Sequence, residues 1–280
     1  MKRHITHYIQ LCLGTIFAWF TISCTSKSNN DWQNIEFYNV EKMEQLTEEP
    51  LNAKQGDSAG FGLEPNQEKR ELDVKVDMQF MKSENCTNEK VCNLINGHLM
   101  ELLLKQSSNL SIDEAVAEYI EDVKSEFHGD EVANVYYVHL TGRAEYGKEN
   151  VINYRLIEDV FTGGAHPSIQ TTILRFNTQT GDLVTLNDVF PTLNQPQLQK
   201  ILLEKLMKDM NVHSIDELRQ RGILEMADMF VSNNFSLLED SIEFLYNEYD
   251  IAPYAIGACT IRVSYKDVKD IISTTWGSHK

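Results

Sequence analysis

The sequence predicts an α+β protein in which helices pack on antiparallel sheet, arranged as two intimately joined subdomains. Three observations carry that reading. Residues 71–81 alternate Leu72, Val74, Val76, Met78 and Phe80 with Asp73, Lys75, Asp77 and Gln79, the period of a strand with one buried face. Two amphipathic helical stretches then precede a run of strands instead of alternating with strands, which argues against a doubly wound parallel sheet. After Pro191 the same succession of helices and then strands returns.

The chain opens with Lys2 and Arg3 ahead of a largely apolar run over 9–22. This is the layout of a secretory signal, and the run is shorter than the roughly 20 residues a spanning helix needs. It closes on Thr21-Ile22-Ser23-Cys24, which resembles the lipobox of bacterial lipoproteins in the loose form met in Bacteroidetes, with Thr21 where Leu is usual. The resemblance implies a signal peptide over 1–23, lipidation of Cys24 and a cell-envelope location. Thr25 follows Cys24, so no aspartate marks retention at the inner membrane, and the expectation is the outer membrane. Residues 24–68 are polar and punctuated by Gly56, Gly60, Gly62 and Pro65, and read as a flexible tether. Within it, Asp57-Ser58-Ala59 resembles the short O-glycosylation signal of Bacteroidetes.

Charge narrows the function classes. The chain has 25 Lys plus Arg against 42 Asp plus Glu, a net −17 that becomes −19 once Lys2 and Arg3 leave with the signal peptide. Nucleic acid needs a basic footprint and is excluded. An acidic surface suits a basic partner or serves solubility alone. Removal of 1–23 also takes away Cys12, His4 and His7, so these form no metal site. In an oxidising envelope Cys86 and Cys92 are close enough in sequence to form a disulfide, which would pin a local turn. A zinc site from these two alone lacks further ligands. Cys259 lies in an apolar strand pattern and reads as a small buried hydrophobe.

The first folded subdomain is expected over 69–190. After the strand at 71–81, Val91, Leu94, Ile95, His98, Leu99, Leu102 and Leu103 repeat at helical spacing, with His98 as a satisfied buried histidine. Ser111 with Glu114 forms a capping box opening a second helix, whose buried stripe is Ile112, Ala115, Val116, Tyr119, Ile120, Val123 and Phe127. Strands follow at 132–143, 151–161 and 169–177, rich in aromatic and β-branched residues. Gly147 breaks the first pair, Phe161-Thr162-Gly163-Gly164-Ala165-His166-Pro167-Ser168 the second, and Thr180-Gly181-Asp182 makes a further turn.

The second subdomain is expected over 191–280. Leu198, Ile201, Leu202, Leu206 and Met210 mark a helix, and Ser214 with Glu217 opens a short one with another capping box. The tetrapeptide Ser-Ile-Asp-Glu occurs at both 111–114 and 214–217, but the two halves do not align beyond it, so it reflects shared helix-start chemistry. Strands are expected at 235–238, 241–246 and 259–265, with Glu239-Asp240 as a turn. Between the last two lies Tyr249-Asp250-Ile251-Ala252-Pro253-Tyr254-Ala255-Ile256-Gly257, a loop stiffened by Pro253 and turned at Gly257.

Three segments stand in a familiar order. They are 161–166, then 176–190 with its Leu186-Asn187-Asp188-Val189-Phe190, then 249–257. Together they resemble the paired domains of unknown function DUF4163 and DUF3298 of the lysozyme-sensing anti-sigma factor of Gram-positive bacteria. These domains also occur beside certain peptidoglycan deacetylase domains and in Bacteroidetes lipoproteins. The resemblance covers about residues 70–274, with a DUF4163-like part at 69–190 and a DUF3298-like part at 191–280. It implies an extracellular α+β binding module, with lysozyme or a similar basic protein as partner. The sensors carry a sigma-binding segment and a membrane helix where this chain has a signal and a tether, so sigma-factor regulation is not expected.

Catalysis finds little support in the residues. Among His98, His128, His139, His166, His213 and His279 there is no H-x-x-x-H pair of the deacetylase kind, and no Gly-x-Ser-x-Gly elbow occurs. The expectation is therefore no enzyme, no metal and no cofactor. The candidate ligand-binding residues are Gly163, Gly164, His166, Asp250 and Tyr254. A peptidoglycan- or glycan-binding module is the first alternative. A hydrolase of an envelope polymer using His166, with Asp250 or Glu248 to orient it, is the second.

Overall fold

The computed structural model describes residues 35–48, 70–86, 88–127, 135–225 and 227–277. The signal peptide, Cys24 and the Asp57-Ser58-Ala59 triplet lie outside the described residues. Among the described residues no helix is long and apolar enough to cross a membrane.

The fold is mixed α and β, with eight strands in two sheets among the described residues. The first sheet has the order β1 (Phe37–Glu48), β2 (Arg70–Met81), β3 (Val135–Tyr146), β4 (Val151–Phe161) and β5 (Ser168–Asn177). One face is covered by helices α1 (Glu89–Leu99) and α2 (Ile112–Glu126), which join β2 to β3. Leu72, Val74, Val76, Met78 and Phe80 are fully buried against Ile95, Leu99, Ala115, Val116 and Ile120. Each such side chain contributes about 1.5–3 kcal/mol by leaving water. Asn96 fastens α1 to the strand end, its amide donating to the Met81 carbonyl and accepting from the Met81 N–H, both at 2.9 Å. A disulfide between Cys86 and Cys92 closes the turn that leads into α1.

Four features differ from the sequence expectation. The sheet is not wholly antiparallel, since β2 and β3 run parallel while every other neighbouring pair is antiparallel. The two helices carry the chain back across the sheet, and such a crossover is what parallel pairing requires. Second, the tether contains a strand. Residues 37–48 pair with β2 along their whole length, from Phe37 opposite Met81 to Glu48 opposite Arg70. Lys42 and Glu44 interrupt its apolar alternation at positions opposite Val76 and Val74. Lys124 of α2 reaches over to Glu44 at 3.0 Å, and this bond, with a second from Lys42, holds the Glu44 carboxyl below its usual range. Third, Leu94 and Leu102 are exposed, whereas Met100, Leu103 and Leu104 are buried. A wide π-type turn over Met100–Leu104 shifts the helical phase there, and Lys105 ends it in left-handed backbone at φ 59°. Fourth, Val184, Leu186, Val189 and Phe190 pack into the second core, although they precede the boundary expected at 190.

The second core is built by α3 (Leu186–Val189), α4 (Gln195–Asp209), α5 (Ile215–Gln220), the three-stranded antiparallel sheet β6 (Phe235–Leu237), β7 (Ser241–Tyr246) and β8 (Cys259–Ser264), and α6 (Thr274–Gly277). Phe190, Leu198, Leu202, Phe235, Phe244 and Ile261 are its fully buried centre. Capping boxes start α2 at Ser111 and α3 at Thr185, each with its acidic partner three residues on. At α5, where the sequence also predicts a box, Ser214 accepts the Glu217 N–H, but the Glu217 carboxylate takes the His213 N–H instead of completing the box. Cys259 is half-buried beside this core, and burial raises its thiol.

The two cores meet on the other face of the first sheet, and side-chain amides make the joint. Asn153 on β4 donates to the Leu237 carbonyl at 3.0 Å and accepts from the Leu237 N–H at 2.9 Å. Asn247 pairs in the same two-way manner with Thr171 on β5, and Asn234 bridges Thr171 and Ile173. The Asn234 and Asn247 amides take the place of a neighbouring strand on the β5 edge, which would otherwise be a row of open donors and acceptors. Arg175 is buried between them, donating to the carbonyls of Val184, Ile173, Asn233 and Phe235 at 2.8–3.1 Å, with its guanidinium 3.8 Å over the Phe235 ring. Burial pulls its pKa down to about 10, so it stays charged at neutral pH.

Candidate binding site

The two stretches singled out in the sequence meet at one edge of this joint. Residues 162–167 turn β4 into β5, with Gly163 at φ 100° and Gly164 at φ 92°, backbone that other residues adopt only under strain. The turn presents His166 to solvent. Across from it, the loop between β7 and β8 supplies Tyr249 and Tyr254. The Tyr254 ring lies flat on the imidazole, with centroids 3.7 Å apart and planes 14° apart. The Tyr249 hydroxyl stands 3.1 Å from His166 Nε2.

His166 Nδ1 lies 2.8 Å from the Pro167 carbonyl, which only accepts, so Nδ1 carries a proton, and Nε2 shares a hydrogen bond with the Tyr249 hydroxyl. Both ring nitrogens are thereby engaged.

Asp250 does not join this contact. Its carboxylate accepts the Asn247 N–H at 2.7 Å, closing a turn that seats Asn247 on β5 and sets Tyr249 at φ 69°. Asp250 therefore shapes the loop that carries the aromatic ring. No hydrogen bond links Asp250 or Glu248 to His166 among the described residues. Pro253 and Gly257 frame Tyr254, with the Gly257 N–H bonded to the Tyr254 carbonyl at 3.0 Å. Of the five candidate residues, His166 and Tyr254 touch, Gly163 and Gly164 shape one loop, and Asp250 shapes the other.

The aromatic group extends onto the sheet through residues the sequence reading left out. The Tyr137 phenol on β3 is raised by burial first, then by the charge of Asp159 and a hydrogen bond to it, and by nearby Tyr254. Tyr137 packs on Phe161 at 6.1 Å and on His139 at 4.8 Å, and His139 Nε2 lies 3.2 Å from Asp73 on β2. The alternation of β3 was visible, but its parallel partner 66 residues earlier was not. Among the described residues no group of three or more His, Cys, Asp or Glu is placed to hold a metal ion.

The molecule is thus a two-sheet, mixed α and β protein with an aromatic rim shared by its two subdomains. Residues 187–266 match the family model described as "Protein of unknown function (DUF3298)", a stretch running from α3 past β8 and including Tyr249 and Tyr254. The chain is similar in structure to a member of the DUF3298 family from Bacteroides fragilis NCTC 9343, with a TM-score of 0.70 and 23% identity over 86% of this chain and 94% of that one. It is also similar to a DUF3298 family protein from Pseudomonas aeruginosa PAO1, with a TM-score of 0.62 and 14% identity over 90% of this chain and all of that one. At these identities the likeness establishes the fold. None of the curated proteins matches the chain.

Proposed function

We propose that the chain is a non-catalytic cell-envelope lipoprotein, anchored through Cys24 at the outer membrane, whose folded part binds a basic protein of the lysozyme kind. The observation that carries this reading is the rim of His166, Tyr249 and Tyr254. His166 and Tyr249 are exposed and Tyr254 is half-buried, and the three rings are held together across two separate loops. Among the described residues no carboxylate is hydrogen-bonded to His166 to orient it as a base beside an activated nucleophile, whereas fixed amphipathic rings are the usual anchors of a protein interface. The net charge, −17 for the whole chain and −19 once Lys2 and Arg3 leave with the signal peptide, supplies long-range attraction for a basic partner. The DUF4163/DUF3298 resemblance supplies lysozyme as the model ligand, with residues 69–190 in the DUF4163-like role.

The test is calorimetry of the chain from residue 25 onward, without lipid, against lysozyme at low and high salt. Binding is expected at low salt, with an association rate that falls as salt rises and a loss on Tyr254→Ala. No heat at low salt would refute the reading. One observation favours a peptidoglycan-binding role as the second reading: the stacked His166 and Tyr254 rings leave a flat outer aromatic face of the kind on which sugar rings pack. That role predicts sedimentation with purified cell wall that is insensitive to salt.

A further inference from the structure

We propose that the open half of the first sheet is a second docking element beside the rim, and that it receives an arginine side chain of the basic protein partner. The proposal rests on the binding role argued above and adds a subsite and its chemistry.

An internal comparison within β2 and β3 carries it. Asp77 and Arg143 lie on the outer face, with Asp77 opposite Thr141 and Arg143 two residues on. Asp73 lies opposite Tyr137, and His139 is again two residues on, so the two pairs occupy equivalent registers. Arg143 reaches one carboxylate oxygen of Asp77, Oδ2, at 2.5 Å and the Asp77 carbonyl at 2.8 Å, and no Asp77 oxygen is both enclosed and unpartnered among the described residues. His139 likewise meets one oxygen, Asp73 Oδ2, but here Asp73 Oδ1 is enclosed without a hydrogen-bond partner among the described residues. Directly across β3, Asp159 opposes His139, and its Oδ1 is likewise enclosed and unpartnered. Buried acceptors in folded proteins are nearly always paired, so two such oxygens on one small patch call for a donor from outside the chain.

The surroundings fit a guanidinium. Tyr137 and His139 present stacked rings between the two carboxylates, and a planar cation both lies on such rings and donates to carboxylates in pairs. Apolar contact surface borders the pair on the same face, with Val135 58% and Ile169 42% exposed. Asp159 and Phe161 close β4 directly before the 162–167 turn that carries His166, and Tyr137 packs on Phe161, so one partner would cover patch and rim together. An outside donor reaches the enclosed oxygens only once these side chains rearrange, a common event at interfaces whose backbone hardly moves.

The experiment follows hexa-arginine and lysozyme binding to the chain from residue 25 onward, by NMR and calorimetry, in wild type and two variants. His139→Arg repeats the Asp77–Arg143 arrangement and fills the subsite from within. Asp159→Asn removes one acceptor charge, and Glu204→Gln on α4 is its charge-matched control. The expected result is shift changes centred on Asp73, Tyr137, His139 and Asp159. Both variants should weaken hexa-arginine by about tenfold or more at retained thermal stability, with the control unchanged. Lysozyme binding that survives in wild type and both variants, with hexa-arginine equally unaffected, would overturn the subsite and leave the rim reading standing. Hexa-arginine binding that depends on both residues, with no lysozyme binding, would keep the subsite and remove lysozyme as the model ligand. Hexalysine binding as tightly as hexa-arginine, or displacement by triacetylchitotriose, would overturn the guanidinium assignment. If His139→Arg fails to fold, Asp159→Asn against its control decides alone.

Discussion

The outer face of the first sheet is treated in two ways along its width. Around Asn153 on β4 and along the β5 edge the second subdomain closes it, with Asn153, Asn234, Asn247 and Arg175 bonded across the joint. At β2, β3 and the Asp159 end of β4 the same face stays open, and Asp73 and Asp159 each keep an oxygen without a partner among the described residues. The difference separates two uses of polar residues on a sheet. Where side-chain amides and a guanidinium stand in for strand pairing, they hold subdomains together; where acceptors remain unpaired beside exposed rings, the face is available to a partner. The rim of His166, Tyr249 and Tyr254 sits at the border between the two halves.

The largest effect that would break this contrast is at Arg175. Replacing it with Met leaves three buried carbonyls and the part-buried Asn233 carbonyl without this donor and is expected to cost about 3–5 kcal/mol, seen as a lower urea midpoint. A loss below about 1 kcal/mol would mean that the joint does not depend on its guanidinium. Gly147→Ala comes next. A Cβ there would stand 2.3 Å from the Leu237 carbonyl oxygen and 2.6 Å from Asn153 Nδ2, so the joint has to open, at about 2–3 kcal/mol. Asn234→Ala removes the bridge to Thr171 and Ile173 and should cost about 1–3 kcal/mol, with faster amide exchange at Ile173 as its local signature. The smallest effect belongs to the open side. Tyr254→Ala should change stability by no more than about 0.5 kcal/mol while removing partner binding. A large stability loss there would erase the distinction between closed and open halves.

Much of the architecture is readable from local pattern. The limits of β4 and β7, the capping box at Ser111 and the glycine turn at 163–164 all follow from period, cap chemistry or backbone freedom. What stays hidden depends on distant partners. β1 has only Tyr38, Val40 and Leu46 in alternation, and Lys42 and Glu44 look like tether residues until Lys124 is placed beside Glu44. His166 and Tyr254 each stand out in a shaped loop, but nothing in the sequence brings the two rings together. Asp250 looked like a ligand contact because a carboxylate in a shaped loop reads the same whether it faces solvent or caps a backbone N–H. Asp73, Tyr137, His139 and Asp159 come from three strands, and a register between parallel strands leaves no mark in either one alone.

Amide hydrogen exchange of the chain from residue 25 onward, with and without saturating lysozyme at low salt, tests the central claim most directly. Protection should rise at 162–167, at 249–257 and along β2 and β3, while β6 and the 147–150 turn, already closed by the joint, stay unchanged. Protection confined to the helix-side groove bordered by Tyr38, Asn93 and Ser111, or no protection anywhere, would contradict it.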